Sequence, residues 1–187
     1  MKAEGSYFVA VTGGQGVGKS TFCRKLYEAL KSADVQGVQV MDGLREQMDA
    51  MGIPLGSSAT PQTIFAVWTA HLERQASAPE GLILLDRCVV DALAYTRALQ
   101  LGTPIERRLF EQVAYLAADR LDLVVHLRLS EFFRDKGGTH ETPELRAKVV
   151  NEVRTIIPHL GLRSIELDAE NERAIEIACQ EIQALTE

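Results

Sequence analysis

Cysteine is scarce in this chain, with three in 187 residues. Cys23, Cys88 and Cys179 lie far apart and form no Cys-x-x-Cys pair, which argues against a disulfide framework and a structural zinc site. A reducing cytoplasm is the expected home. Histidine is equally thin: His71, His126, His140 and His159 are scattered, and none is paired with a cysteine or carboxylate at ligand spacing. No apolar run approaches the roughly eighteen residues of a membrane span, and Met1 to Ser6 lacks the apolar stretch of a signal peptide. A soluble, unexported protein with no membrane partner is therefore expected. Positive charge is not in excess either. The formal net charge of −6 disfavours general attraction to a nucleic-acid backbone and leaves only a local basic groove open. Repeats, low-complexity tracts and the Asn-Lys-x-Asp guanine motif are also missing, and the last absence argues against a G-protein switch.

What the chain does carry is Val11-Thr12-Gly13-Gly14-Gln15-Gly16-Val17-Gly18-Lys19-Ser20-Thr21, a full Gly-x-x-x-x-Gly-Lys-Ser phosphate-binding loop. Its glycines permit positive φ and close approach, so successive N–H groups can form an anion nest. Lys19 then reaches the β- and γ-phosphates, and the Ser20 hydroxyl ligates Mg²⁺. The loop follows a short apolar strand, residues 7–11, and precedes a helical pattern in Phe22, Leu26 and Leu30. ATP is thus expected on Gly13, Gly14, Gln15, Gly16, Val17, Gly18, Lys19, Ser20 and Thr21.

Strand-like runs recur at residues 7–11, 35–41, 82–85, 121–127 and 162–167, separated by helical patterns at 18–32, 42–50, 61–76, 88–100, 104–119, 143–157 and 170–184. This alternation predicts one α/β domain over residues 1–187, a five-stranded parallel sheet with helices on both faces. Thr103-Pro104-Ile105-Glu106 reads as a capping box, and Thr60-Pro61 and Thr142-Pro143 share its Thr-Pro start. Residues 52–58 read as a long irregular connection.

In open parallel sheets ligands sit at the carboxyl ends of the strands, which selects the residues just after each run. Gly81 to Asp86 is an apolar strand ending in a carboxylate, so Asp86 joins Ser20 as a candidate Mg²⁺ ligand. Arg87 beside it suits phosphate or acceptor binding; a solvated strand end or helix cap is the alternative for this pair. Asp42, after the second strand, can accept a proton from an attacking hydroxyl while Arg45 holds the acceptor, or it can simply cap the helix that follows. Asp91 and Tyr95, at i and i+4, can touch each other or the acceptor, or form a core-edge pair. Six cations gather between residues 128 and 154, around Lys136-Gly137-Gly138, among five acidic residues. The pattern fits a lid over about 128–142 as well as a solvated face, with Arg128 and Arg134 as the candidate catalytic arginines. Trp68 is a candidate pocket wall, and Phe65 a candidate core residue.

The loop, Met41-Asp42-Gly43-Leu44-Arg45-Glu46 and Leu84-Leu85-Asp86-Arg87-Cys88-Val89-Val90-Asp91-Ala92-Leu93-Ala94-Tyr95 together resemble the small P-loop nucleoside and nucleotide kinases. Within them the chain looks most like the AAA group that includes the ribosylnicotinamide kinase domain of bacterial NAD-salvage proteins. The resemblance implies a P-loop NTPase fold with three α/β/α layers, strand order 2-3-1-4-5 and a lid after strand four. It also implies ATP- and Mg²⁺-dependent phosphoryl transfer to a small nucleoside- or nucleotide-like acceptor. By position Asp42 falls where related kinases place an acidic base, and Asp86-Arg87 on their acidic-Arg motif. Two readings of other classes remain beside it: a regulatory ATPase that binds a protein partner, and a kinase acting on a modified base or end within nucleic acid.

Overall fold

Alternation along buried strands sends side chains to two opposite faces, and each face needs its own cover. In strand β1, Ser6–Gly13, Phe8 and Ala10 point to one side and Val9 and Val11 to the other, all of them fully buried. Strands β2, Val38–Met41, β3, Gly81–Asp86, β4, Leu123–Arg128, and β5, Ser164–Asp168, complete a parallel sheet in the order β2-β3-β1-β4-β5. The computed structural model describes residues 6–128 and 141–186.

Two helices, α1, Lys19–Ser32, and α7, Ala174–Thr186, cover one face, packing Phe22, Leu26, Leu30, Ala178 and Ile182 onto Val9, Leu84 and Val125. The other face carries α2, Leu44–Ala50, α3, Pro61–Ser77, α4, Val89–Ala98, α5, Pro104–Ala118, and α6, Pro143–His159. The result is the three-layer fold and the strand order that the resemblance implied. At about 1.5–3 kcal/mol for each large apolar side chain fully buried, two such cores explain why the chain folds without disulfides. Its three cysteines are free.

The Thr-Pro starts act as read. The Thr60, Thr103 and Thr142 hydroxyls accept from the backbone N–H groups of Thr63, Glu106 and Leu145 at 3.2–3.3 Å, caps worth ~1 kcal/mol each. Two boundaries differ from expectation by three residues or more. Strand β2 begins three residues late because Gly37, at φ 68°, turns the chain. Helix α7 begins at Ala174 instead of 170, because Asp168 Oδ1 accepts from Glu170 N and Asn171 Oδ1 from Arg173 N. Side-chain turns of this kind compete with the first helical turn. A short 3-10 turn, Gly56–Ser58, lies within the expected irregular connection.

Candidate active site

The register brings distant residues to one end of the sheet. Val11 of β1 is paired with Asp86 of β3, and Arg87 N donates to Val11 O at 3.1 Å. The carboxylate at the end of β3 therefore stands beside the loop that leaves β1. That loop is compressed between strand and helix: a Cβ on Gly13 would lie 2.5 Å from Leu127 O, and one on Gly14 would lie 2.8 Å from Val150 Cγ2. At Gly13 the atom met is backbone and φ is 143°, so a side chain there is excluded, while one at Gly14 would force Val150 to shift. Gly18, at φ 87°, ends the loop, and no side chain caps α1, so the first N–H groups of that helix face outward without a side-chain partner.

Lys19 is only 4% exposed, and its Nζ donates to Gly13 O at 2.7 Å and Gly14 O at 2.6 Å. Burial and then the Arg87 guanidinium lower its amine to about 7, against the partial restoring pull of Asp91, Asp86 and Glu141. Ser20 Oγ donates to Asp86 Oδ2 at 2.5 Å. The other carboxylate oxygen, Asp86 Oδ1, is buried without a hydrogen-bond partner. A buried oxygen beside a hydroxyl fits a hard cation that keeps several waters and needs only one or two protein ligands. Among the described residues no group of three or more His, Cys, Asp or Glu forms a metal cluster.

A cavity of about 360 Å³ opens beside this pair, and its wall contains Ser20, Asp42, Arg45, Asp86 and Arg87. Five residues singled out from three separate segments of the sequence thus share one wall. Asp42 is solvent-exposed and does not cap α2; Gly43, in the left-handed region at φ 78°, takes the N-cap position without a side-chain bond. The helix-cap reading of Asp42 is therefore not the one realised. Arg87 holds a φ of 71°, unusual for a residue with a side chain, and its Nη1 lies 3.8 Å from Asp91 Oδ1. Burial alone would lower its pKa, but the pull of Asp91, Tyr95, Asp86 and Glu141 raises it, so it stays a cation. Asp91 Oδ2 meanwhile accepts from Cys88 N at 3.0 Å, closing the capping box of α4. Asp91 and Tyr95 do share a helix face, both facing the site.

A second, smaller cavity of about 50 Å³ adjoins the first. Leu44, Arg45 and Arg87 line both, while Leu55, Ile64 and Val67 make the smaller one apolar. His71, unremarked in the sequence beyond its failure as a metal ligand, also lines it. Burial, with Arg74 and Arg87 nearby, holds its imidazole neutral by lowering it to about 3.

Trp68, the expected pocket wall, lines neither cavity. It is 3% exposed and stacks on Phe110 at a centroid distance of 5.7 Å, whereas Phe65, the expected core residue, is 40% exposed. Helical phase explains the exchange: Ile64, Val67, Trp68 and His71 share the buried face of α3, and Phe65 lies off it. Arg128 is half exposed at the end of β4, with Nε 3.8 Å from Glu166 Oε1, an oxygen that also accepts from Arg154 at 3.2 Å. It lines neither cavity. Arg134, and most of the lid expected over 128–142, lie outside the described residues.

Two arginines were not singled out for the site. Arg74, in the last turn of α3, donates to Met41 O and, at 3.5 Å, to Asp86 O, so it straps together the ends of β2 and β3 just where Asp42 and Asp86 project. A lone cation among the apolar positions of that helix was the available signal. Arg146, in the first turn of α6, is 5% exposed and passes Gly14. Among the described cations of its segment, it alone is buried.

A family model described as an AAA domain matches residues 8–173. No curated protein matches the chain by sequence. Among solved structures, that of NadR in complex with NR superposes with a TM-score of 0.74 at 20% identity, covering 97% of this chain and 52% of that one. NadR in complex with NAD and AMP-PNP gives 0.71 at 18% identity, with 97% and 50% covered. Thymidylate kinase from Ehrlichia chaffeensis gives 0.68 at 17% identity, with 98% and 100% covered. The chain thus spans about half the length of the NadR chains it resembles and the full length of the thymidylate kinase.

Proposed function

We propose that this chain, which belongs to the AAA-domain family and has the fold of the P-loop nucleoside and nucleotide kinases, transfers a phosphoryl group from ATP to a small nucleoside-like acceptor. The observation that carries the reading is that two adjoining cavities share Leu44, Arg45 and Arg87 in their walls. One holds the loop serine and Asp86; the other is a small apolar recess lined by Leu55, Ile64 and Val67, beside which an acceptor's apolar part would lie.

In this reading Gly13 to Thr21 bind the nucleotide phosphates, and Ser20 with the unpartnered oxygen of Asp86 would hold Mg²⁺. When bound, the Mg²⁺–ATP pair supplies the phosphoryl group and neutralises part of its charge. The protein's part is positioning. Lys19 exchanges its bonds to Gly13 O and Gly14 O for bonds to phosphate oxygens and becomes fully charged as it does so. Arg87 and Arg45 hold the acceptor at the junction of the cavities, and Asp42 accepts the proton from its hydroxyl. Arg128 and Arg134 remain the candidates for charge stabilisation from the segment after β4.

The experiment is ADP release by the purified protein with Mg²⁺ and ATP across a panel of nucleosides, nucleoside monophosphates and ribosylnicotinamide. At least one acceptor is expected to stimulate release, and Lys19→Ala to abolish it with the fold retained. Hydrolysis that ignores every acceptor overturns the reading in favour of a regulatory ATPase.

A further inference from the structure

The nucleotide loop and the apolar cavity come from separate parts of the chain, yet one buried carboxylate touches both. Glu141 is 5% exposed. With its amide turned so that nitrogen faces the carboxylate, Gln15 of the loop donates to Glu141 Oε1 at 2.8 Å and to Oε2 at 3.2 Å. Oε1 also accepts from the Tyr95 hydroxyl. A Cβ built on Gly56 would sit 3.4 Å from Glu141 Cγ, so that turn packs directly on the same side chain. Tyr95 and Gly56 both line the apolar cavity.

We infer that Glu141 is a positioning residue that couples the nucleotide loop to the acceptor cavity through the bridge Gln15–Glu141–Tyr95. The inference rests on the nucleotide-binding reading of the loop. Its physical basis is the cost of leaving a buried carboxylate without its donors. Lys19 cannot reach phosphate as it stands, because its amine is spent on Gly13 O and Gly14 O, either side of which lie the strand end and Gln15. When those carbonyls are released, Gln15 shifts with them, and Glu141 must follow or lose a donor. Following it draws on Tyr95 and on the turn at Gly56. Glu141 also acts electrostatically on Lys19 of the loop and on Arg87, which lines both cavities. Coupling of this kind is reciprocal: whatever nucleotide does to the cavity, the acceptor does to the nucleotide.

Hydrogen–deuterium exchange of the full chain tests this with AMP-PNP and Mg²⁺ as the probe, so no acceptor need be known. In the wild type, AMP-PNP is expected to slow exchange in residues 13–21 and also in 53–59 and 89–98, the latter on the order of fivefold or more. Tyr95→Phe removes a single hydroxyl, and Glu141→Ala removes the carboxylate. Each is expected to keep protection at 13–21 and lose it at 53–59 and 89–98. Distant protection that survives in Tyr95→Phe, or wild-type protection confined to the loop, overturns the bridge. No protection at 13–21 in the wild type overturns the nucleotide reading itself, and the bridge with it.

Discussion

Ser20 Oγ and Asp86 Oδ2 stand 2.5 Å apart across 66 residues of sequence, while the second oxygen of the same carboxylate is buried and unpartnered. Asp86→Asn preserves shape and an acceptor for Ser20 but removes the charge a divalent cation needs. The Mg²⁺ concentration giving half-maximal ADP release is expected to rise roughly 10–100-fold, with the melting temperature little changed. A superimposable Mg²⁺ titration would remove Asp86 from the metal site.

If Lys19 meets phosphate as proposed, nucleotide binding is proton-linked. Its amine lies near 7 in the free protein, and a phosphate contact is expected to drive it to the charged form. At pH 8 the free side chain is mostly neutral, so binding takes up close to one proton; at pH 6 it is already charged, and uptake vanishes. Titration calorimetry of ADP in buffers of different ionisation enthalpy reads the number directly.

The same depressed value has a stability consequence. The unfolded lysine stays protonated up to its ordinary value near 10.5, whereas the folded one releases its proton near 7. Folding with Lys19 is therefore penalised fully below pH 7, and the penalty is relieved as pH rises from 7 towards 10.5. Lys19→Met lacks this dependence. Its stability relative to wild type is expected to fall by about 2–3 kcal/mol between pH 6 and pH 9, measured by denaturant unfolding.

Arg87 keeps a left-handed backbone at φ 71°. Replacing it with glycine relieves that conformation and with alanine does not, so Arg87→Gly is expected to be more stable than Arg87→Ala by about 1 kcal/mol. Both are expected to lose acceptor-stimulated ADP release. Equal stability of the two would show that the backbone there is unstrained.

Trp68 separates a core role from a pocket role. Trp68→Ala is expected to cost about 3–5 kcal/mol in unfolding free energy. Trp68→Phe keeps an aromatic ring against Phe110 and is expected to leave the acceptor KM within about twofold of wild type, a span worth only ~0.4 kcal/mol. A large KM change with an unchanged melting temperature would return Trp68 to the acceptor wall.

Much of the architecture was legible because it is local. The Gly-x-x-x-x-Gly-Lys-Ser spacing, the apolar run ending at Asp86 and the Thr-Pro caps are short-range chemistry, and each formed the element it announced. Strand order came from the likeness to the kinases, not from the strands, since five apolar runs can be arranged in many ways. The exchange of Trp68 and Phe65 shows the limit within a helix. Periodicity identified α3, but which side faces the sheet depends on how the helix is rotated against Phe110 and its neighbours, and that is a packing outcome.

By itself the sequence determined the phosphate loop, the succession of strands and helices, and the candidates Ser20, Asp42, Arg45, Asp86 and Arg87, because each depends on residues close along the chain. Only the tertiary structure decided that these five share one cavity, that Arg74 straps β2 to β3, and that Glu141 joins Gln15 to Tyr95. Those relations are set by parallel register and by burial, which bring together side chains separated by 33, 46 and 66 residues.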